Sequence, residues 1–131
     1  MHTVPYAPDK VWRALPAVYD SLGIPVSTLD PAKRVIGNEA FKVRGRLKST
    51  PLSRYIDCGS STQIGPNADS YDVVLTLVTN VRPAEGGATT VNNTFSAVAR
   101  PANFSQDYSQ CSSRSTMETR FLTVLNSVLG K

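Results

Sequence analysis

The sequence predicts an α+β two-layer sandwich, an antiparallel sheet of four to six strands covered on one face by an N-terminal and a C-terminal helix. Three observations carry that expectation. A helical stripe opens the chain, two alternating apolar segments flank a glycine-containing loop in its second half, and a second helical stripe closes it. A sheet with one apolar face needs cover, and two amphipathic helices supply it.

In PDKVWRALPAVYDSLG, the residues Val11, Trp12, Leu15, Val18, Tyr19 and Leu22 recur at helical spacing, and Gly23 is a natural stop. Pro16 removes one backbone hydrogen bond, which predicts a helix bent or weakened near Trp12. Trp12 and Tyr19 read first as core, with the lining of a ligand groove as the alternative. The preceding HTVPY reads as a short edge strand.

IPVSTLDPAKRVIGNEAF reads as strand, turn, strand, with DPAK as a type I turn. FKVRGRLK then alternates, placing Phe41, Val43 and Leu47 on one face and Lys42, Arg44, Arg46 and Lys48 on the other. A polar stretch follows, with a short strand expected around RYIDC. YDVVLTLVTNV puts Val73, Leu75, Leu77 and Val81 on one face, and ATTVNNTFSAVA does the same with Val91, Phe95, Ala97 and Ala99. RPAEGG between them suits a hairpin. PANFSQDYSQCSSR reads as a polar loop. In STMETRFLTVLNSVLGK, Ser115 and Glu118 fit a capping box, and Met117, Phe121, Leu125, Val128 and Leu129 form the buried stripe.

With 131 residues, 40% apolar and 18% charged, the chain reads as a single folded domain over 1–131. Fourteen Lys and Arg against ten Asp and Glu leave a net charge of +4, well short of a dedicated nucleic-acid binder, so no nucleic-acid partner is expected. No apolar run reaches the roughly 18 residues of a transmembrane segment. The opening MHTVPYAPDK has neither the basic nor the apolar region of a signal peptide.

The two cysteines, Cys58 and Cys111, sit in polar stretches rich in serine. The usual base for a catalytic cysteine is histidine, and the chain has only His2. A zinc site needs about four ligands at characteristic spacing, which two isolated cysteines do not supply. A Cys58–Cys111 disulfide is the leading reading, and two reduced, unrelated thiols the alternative. A disulfide points to an oxidising compartment outside the cytoplasm.

Four like charges at Lys42, Arg44, Arg46 and Lys48 fit contact with an anionic surface, such as lipid headgroups, polysaccharide or an acidic protein. The plainer reading is a solvated face that also guards an edge strand against aggregation. Arg54, Tyr55 and Asp57 form a polar cluster in which an Arg54–Asp57 ion pair is the simpler reading and a functional site the other. AEGGAT lacks the lysine and following helix of a phosphate loop, and a Ser-His-Asp arrangement needs a second histidine. No catalytic residue, metal ligand or cofactor is therefore expected. NNT from Asn92 and NFS from Asn103 fit glycosylation acceptors.

YAPDKVWRAL followed by LGIPVSTLDPAKRVIG resembles the helix-grip domains of bacterial envelope proteins, and BamC-like lipoprotein domains of the outer-membrane β-barrel assembly machinery in particular. APDKVW is also similar to the opening of START and Bet v 1-like helix-grip proteins, which hold apolar ligands between sheet and long helix. The resemblance covers the first forty or so residues, the general layout and the terminal helix. RYIDCG and its partner cysteine belong to neither pattern. What the resemblance implies is a non-enzymatic, extracytoplasmic binding domain of the periplasm or cell envelope. It would engage a protein partner or envelope component, with a lipid anchor supplied by a segment outside this sequence. The alternative is a small carrier with an apolar ligand between the sheet and the C-terminal helix. A small hydrolase built on the loops around Cys58 is the third class.

Overall fold

A computed structural model describes residues 2–61, 65–101 and 107–130. In chain order its elements are β1 (His2–Val4), α1 (Pro8–Leu22), β2 (Thr28–Asp30), β3 (Val35–Arg44), β4 (Arg46–Leu47), β5 (Thr50–Pro51), β6 (Ile56–Asp57), β7 (Ser60–Ser61), β8 (Gly65–Pro66), β9 (Asp72–Pro83), β10 (Thr89–Arg100), β11 (Ser109–Ser113) and α2 (Thr116–Leu129). The chain is α+β. One antiparallel sheet runs β2-β3-β9-β10-β11-β6, with β1 beside the N-terminal half of β10. β4 with β5, and β7 with β8, form two-residue ribbons outside it.

Alternation along β9 and β10 decides which face is covered. Val73, Leu75, Leu77, Thr79 and Val81 point inward from β9, and Val91, Ala97 and Ala99 from β10, all buried. Both helices pack on that face. α1 buries Val11, Ala14, Leu15, Val18, Tyr19 and Leu22, and α2 buries Met117, Phe121, Leu125 and Leu129. Tyr19 and Phe121 meet edge to face, with ring centroids 6.2 Å apart. α1 runs as one element through Pro16, which lies on its exposed side, and stops at Gly23 in the left-handed conformation. Trp12 is half-buried against the core rather than enclosed.

Several local expectations change. The alternation starting at Phe41 ends at Arg44, because Gly45 adopts a φ of 78° and turns the chain into the β4–β5 ribbon. The segment read as a polar loop before the last helix contains β11, whose weak intrinsic preference is overridden by pairing with β10 on one side and β6 on the other. The capping box does not form. Ser115 occupies the cap position in a helical conformation, and its side chain makes no cap hydrogen bond. The DPAK turn is closed by the Lys33 amide donating to Asp30 Oδ1 at 3.2 Å.

Tyr19 carries a polar link through the core. Its hydroxyl lies 2.7 Å from Thr79 Oγ1, which in turn donates to Asn93 Oδ1 at 2.6 Å, and 3.1 Å from the Ile36 carbonyl oxygen. Burial pushes the phenol up from 10.0 to about 12, with the Thr79 hydrogen bond opposing the shift. The folded state therefore holds a proton that the unfolded chain gives up first. The stability this proton protects is whole below about pH 10 and is lost as pH rises through about 12, a change on the order of 2–3 kcal/mol. Tyr19→Phe should cost about 1–2 kcal/mol near neutral pH. It should also flatten the alkaline fall in stability, measured by urea unfolding across that range. An equally steep fall in the variant would assign the alkaline loss to other groups.

Candidate anion-recognition site at the end of the sheet

The face of the sheet opposite the helices carries Thr76, Val78, Thr94 and Ser96 along its middle and charge at its ends. At one end the strand register lines up Arg44, Asp72 and Arg100 on three adjacent strands. Arg44 Nε donates to Asp72 Oδ1 at 2.7 Å. Arg100 stacks its guanidinium over the Tyr108 ring, 4.6 Å from the centroid. Its Nε is buried, with no hydrogen-bond partner among the described residues. Lys42 lies exposed one residue pair away on the same face. These side chains, with Val43 and Val73, line a cleft of about 270 Å³.

The arrangement is unbalanced. Three cations, Lys42, Arg44 and Arg100, line the cleft with one carboxylate, Asp72, which Arg44 engages. Arginine offers its donors as a planar fork suited to an oxyanion, and Arg44 and Arg100 both line the cleft.

The four basic positions from the sequence divide accordingly. Lys42 and Arg44 belong to the cleft. Arg46 instead reaches the Ser49 carbonyl oxygen at 3.4 Å within its own turn. Lys48, at a φ of 60°, points Nζ at the carbonyl oxygens of Asp20 and Ser21, 3.4 Å from each, where it complements the end of α1. The turn at Gly45 separates the two pairs. Arg100 and Tyr108 were not singled out in the sequence. The alternation of β10, extended to its last residue, was the available signal for Arg100.

Arg54, Tyr55 and Asp57 do not form one cluster. Arg54 is exposed. Tyr55 is buried, and its hydroxyl accepts from Arg120 Nη1 at 2.7 Å. Asp57 accepts from the Gly59 amide at 2.8 Å, and its nearest cationic partner is Arg114 at 3.9 Å. The reason is topological, because pairing of β6 with β11 brings residue 114 alongside, where its amide also donates to the Tyr55 carbonyl oxygen.

Cys58 and Cys111 are bonded to each other, with Cα atoms 4.5 Å apart. They border a second cleft, of about 210 Å³, with Asn67, Tyr71 and Asp107. A bonded sulfur offers no thiolate, so cysteine nucleophilic chemistry has no agent at this position. Among the described residues, no three His, Cys, Asp or Glu side chains gather to hold a metal ion, and no helix is long and apolar enough to cross a membrane. Asn92 is exposed on β10, while Asn103 lies outside the described residues. No protein-family model matches this chain, and neither does any curated protein or solved structure.

Proposed function

We propose that this chain is an extracytoplasmic binding domain that recognises an anionic group on a protein partner or envelope component. The observation that carries the reading is the cleft's lining, where Lys42, Arg44 and Arg100 stand beside the single carboxylate of Asp72. The disulfide supports a compartment outside the cytoplasm. The filled layer between sheet and helices, where Tyr19, Leu75, Leu77, Phe121 and Leu125 have 0% exposure, favours surface recognition over carriage of an apolar ligand. The order of N-terminal helix, antiparallel strands and C-terminal helix supports the helix-grip, BamC-like envelope relationship as part of the same proposal.

Binding rather than catalysis is the role we assign to the cleft. Titration of ¹⁵N-labelled protein with sodium phosphate at constant ionic strength tests it. The amides of Lys42, Arg44 and Arg100, and the Arg100 side-chain resonance, should shift together and saturate. Arg100→Gln should weaken that binding by about tenfold, as expected for loss of one charge-assisted hydrogen bond. Uniform, unsaturable shifts would remove the anion site from consideration.

A further inference from the structure

β2 covers β3 only over Val35–Gly37. From Phe41 to Arg44, β3 pairs with β9 on one side, and no described strand lies on the other. The near end of this open edge is closed by its own chain. Asn38 Nδ2 donates to the Pro25 carbonyl oxygen at 2.8 Å, and Asn38 Oδ1 accepts from the Ala40 amide at 3.1 Å. The register shift between Asn38 and Phe41 then separates the covered part of the strand from the uncovered part. What is left is a four-residue strand edge with main-chain donors and acceptors available.

The two faces of that edge differ in chemistry. Lys42 and Arg44 are exposed on the bare face beside the cation-rich cleft, and Phe41 and Val43 are half-buried on the helix face. An added strand would place alternate residues beside each set, since successive side chains point to opposite faces. Acidic residues beside Lys42 and Arg44 gain from cross-strand pairing, and apolar residues beside Phe41 and Val43 extend the core. A second copy of this chain is a poor occupant, because edge-to-edge pairing would set Lys42 and Arg44 against their own like charges. A membrane surface is also disfavoured, as lipid-binding clusters carry about four to eight basic residues and this one has three.

We infer that the open edge of β3 takes an extended segment of a protein partner in which acidic and apolar residues alternate, bound as an added strand with its carboxylates on Lys42 and Arg44. This deepens the proposed function and rests on it, since the carboxylates enter the same cation-rich end of the sheet. The mode is strand addition, in which main-chain hydrogen bonds give affinity and alternating side chains give specificity.

The test uses the full chain and capped, fluorescein-labelled peptides, read by anisotropy and by ¹⁵N amide shifts. A Glu-Val alternating hexapeptide should bind and should perturb the amides of Phe41 to Arg44. A peptide of the same composition with its glutamates in one block should bind at least tenfold more weakly, and so should one N-methylated along its strand. Lys42→Glu should weaken the Glu-Val peptide by at least tenfold and gain a preference for a Lys-Val one. Equal binding of the alternating, blocked and N-methylated peptides would overturn strand addition while leaving an anion site in place. Binding to vesicles containing phosphatidylglycerol, with none to any peptide, would overturn the protein partner in favour of lipid. Self-association of the free chain blocked by the Glu-Val peptide would make a second copy the occupant and overturn the acidic partner. Absence of both peptide and phosphate binding would remove the parent reading as well.

Discussion

Removing the Cys58–Cys111 cross-link, by Cys58→Ala with Cys111→Ala, should lower the free energy of unfolding by on the order of 4 kcal/mol. The two residues are 53 positions apart, so the bond closes a long loop and takes much conformational freedom from the unfolded chain. The native state loses less by comparison, because alanine keeps each Cβ and only the two sulfur atoms are removed. Against a total stability of about 5–15 kcal/mol for a domain, this is a large fraction. Urea unfolding of the variant beside the untreated and reduced parent measures it. A loss under about 1 kcal/mol would show that β6 and β11 hold their positions without the bond. Since these two strands form the outer rungs beyond β10, hydrogen exchange should rise there before it rises in β9.

Gly37→Ala should be of similar or greater consequence, costing about 3 kcal/mol or more, or preventing folding altogether. A Cβ at this position would lie 2.3 Å from the Leu77 carbonyl oxygen and 2.7 Å from Val78 Cα. Both are backbone atoms of the strand it pairs with, so no side chain can rotate away to make room. Relief requires β3 and β9 to separate where Ile36, buried beside Gly37, packs against the core. Gly86 is the matched control. It has open space around an added Cβ, and its left-handed φ of 70° limits the cost of Gly86→Ala to local turn strain. Thermal melts of the two variants should differ widely. Similar melts would show that the β3–β9 contact yields at little cost.

Both expectations concern features that the sequence revealed unevenly. The β9–β10 hairpin was legible because apolar residues recur at every second position through most of both strands and a glycine pair separates them. α2 was legible from its stripe, since Met117, Phe121, Leu125, Val128 and Leu129 mix spacings of four and three, which a helix brings to one side and a strand does not. β11 was not. Ser109–Ser113 has one buried residue, Cys111, and a strand made by its neighbours leaves no periodic trace in its own residues. The cleft was half legible. Lys42 and Arg44 stood out in a short run, whereas Asp72, Arg100 and Tyr108 come from three other parts of the chain. Extending the run to Arg46 and Lys48 failed because alternation presumes a continuous strand, and Gly45 interrupts it. The Arg54–Asp57 pairing failed for a related reason. Closeness in sequence is not closeness in space here, and the competitor, Arg114, arrives through β11.

The central hairpin also bears on how the molecule acquires its shape. β9 and β10 are twelve residues each, joined by five, so their register is set by neighbours along the chain before any distant segment has to arrive. The remaining strands flank that pair, β3 and β2 on one side, β1, β11 and β6 on the other. A nascent chain released before residue 89 lacks the template, and its β3, with apolar Phe41 and Val43, stays without a covered sheet to join.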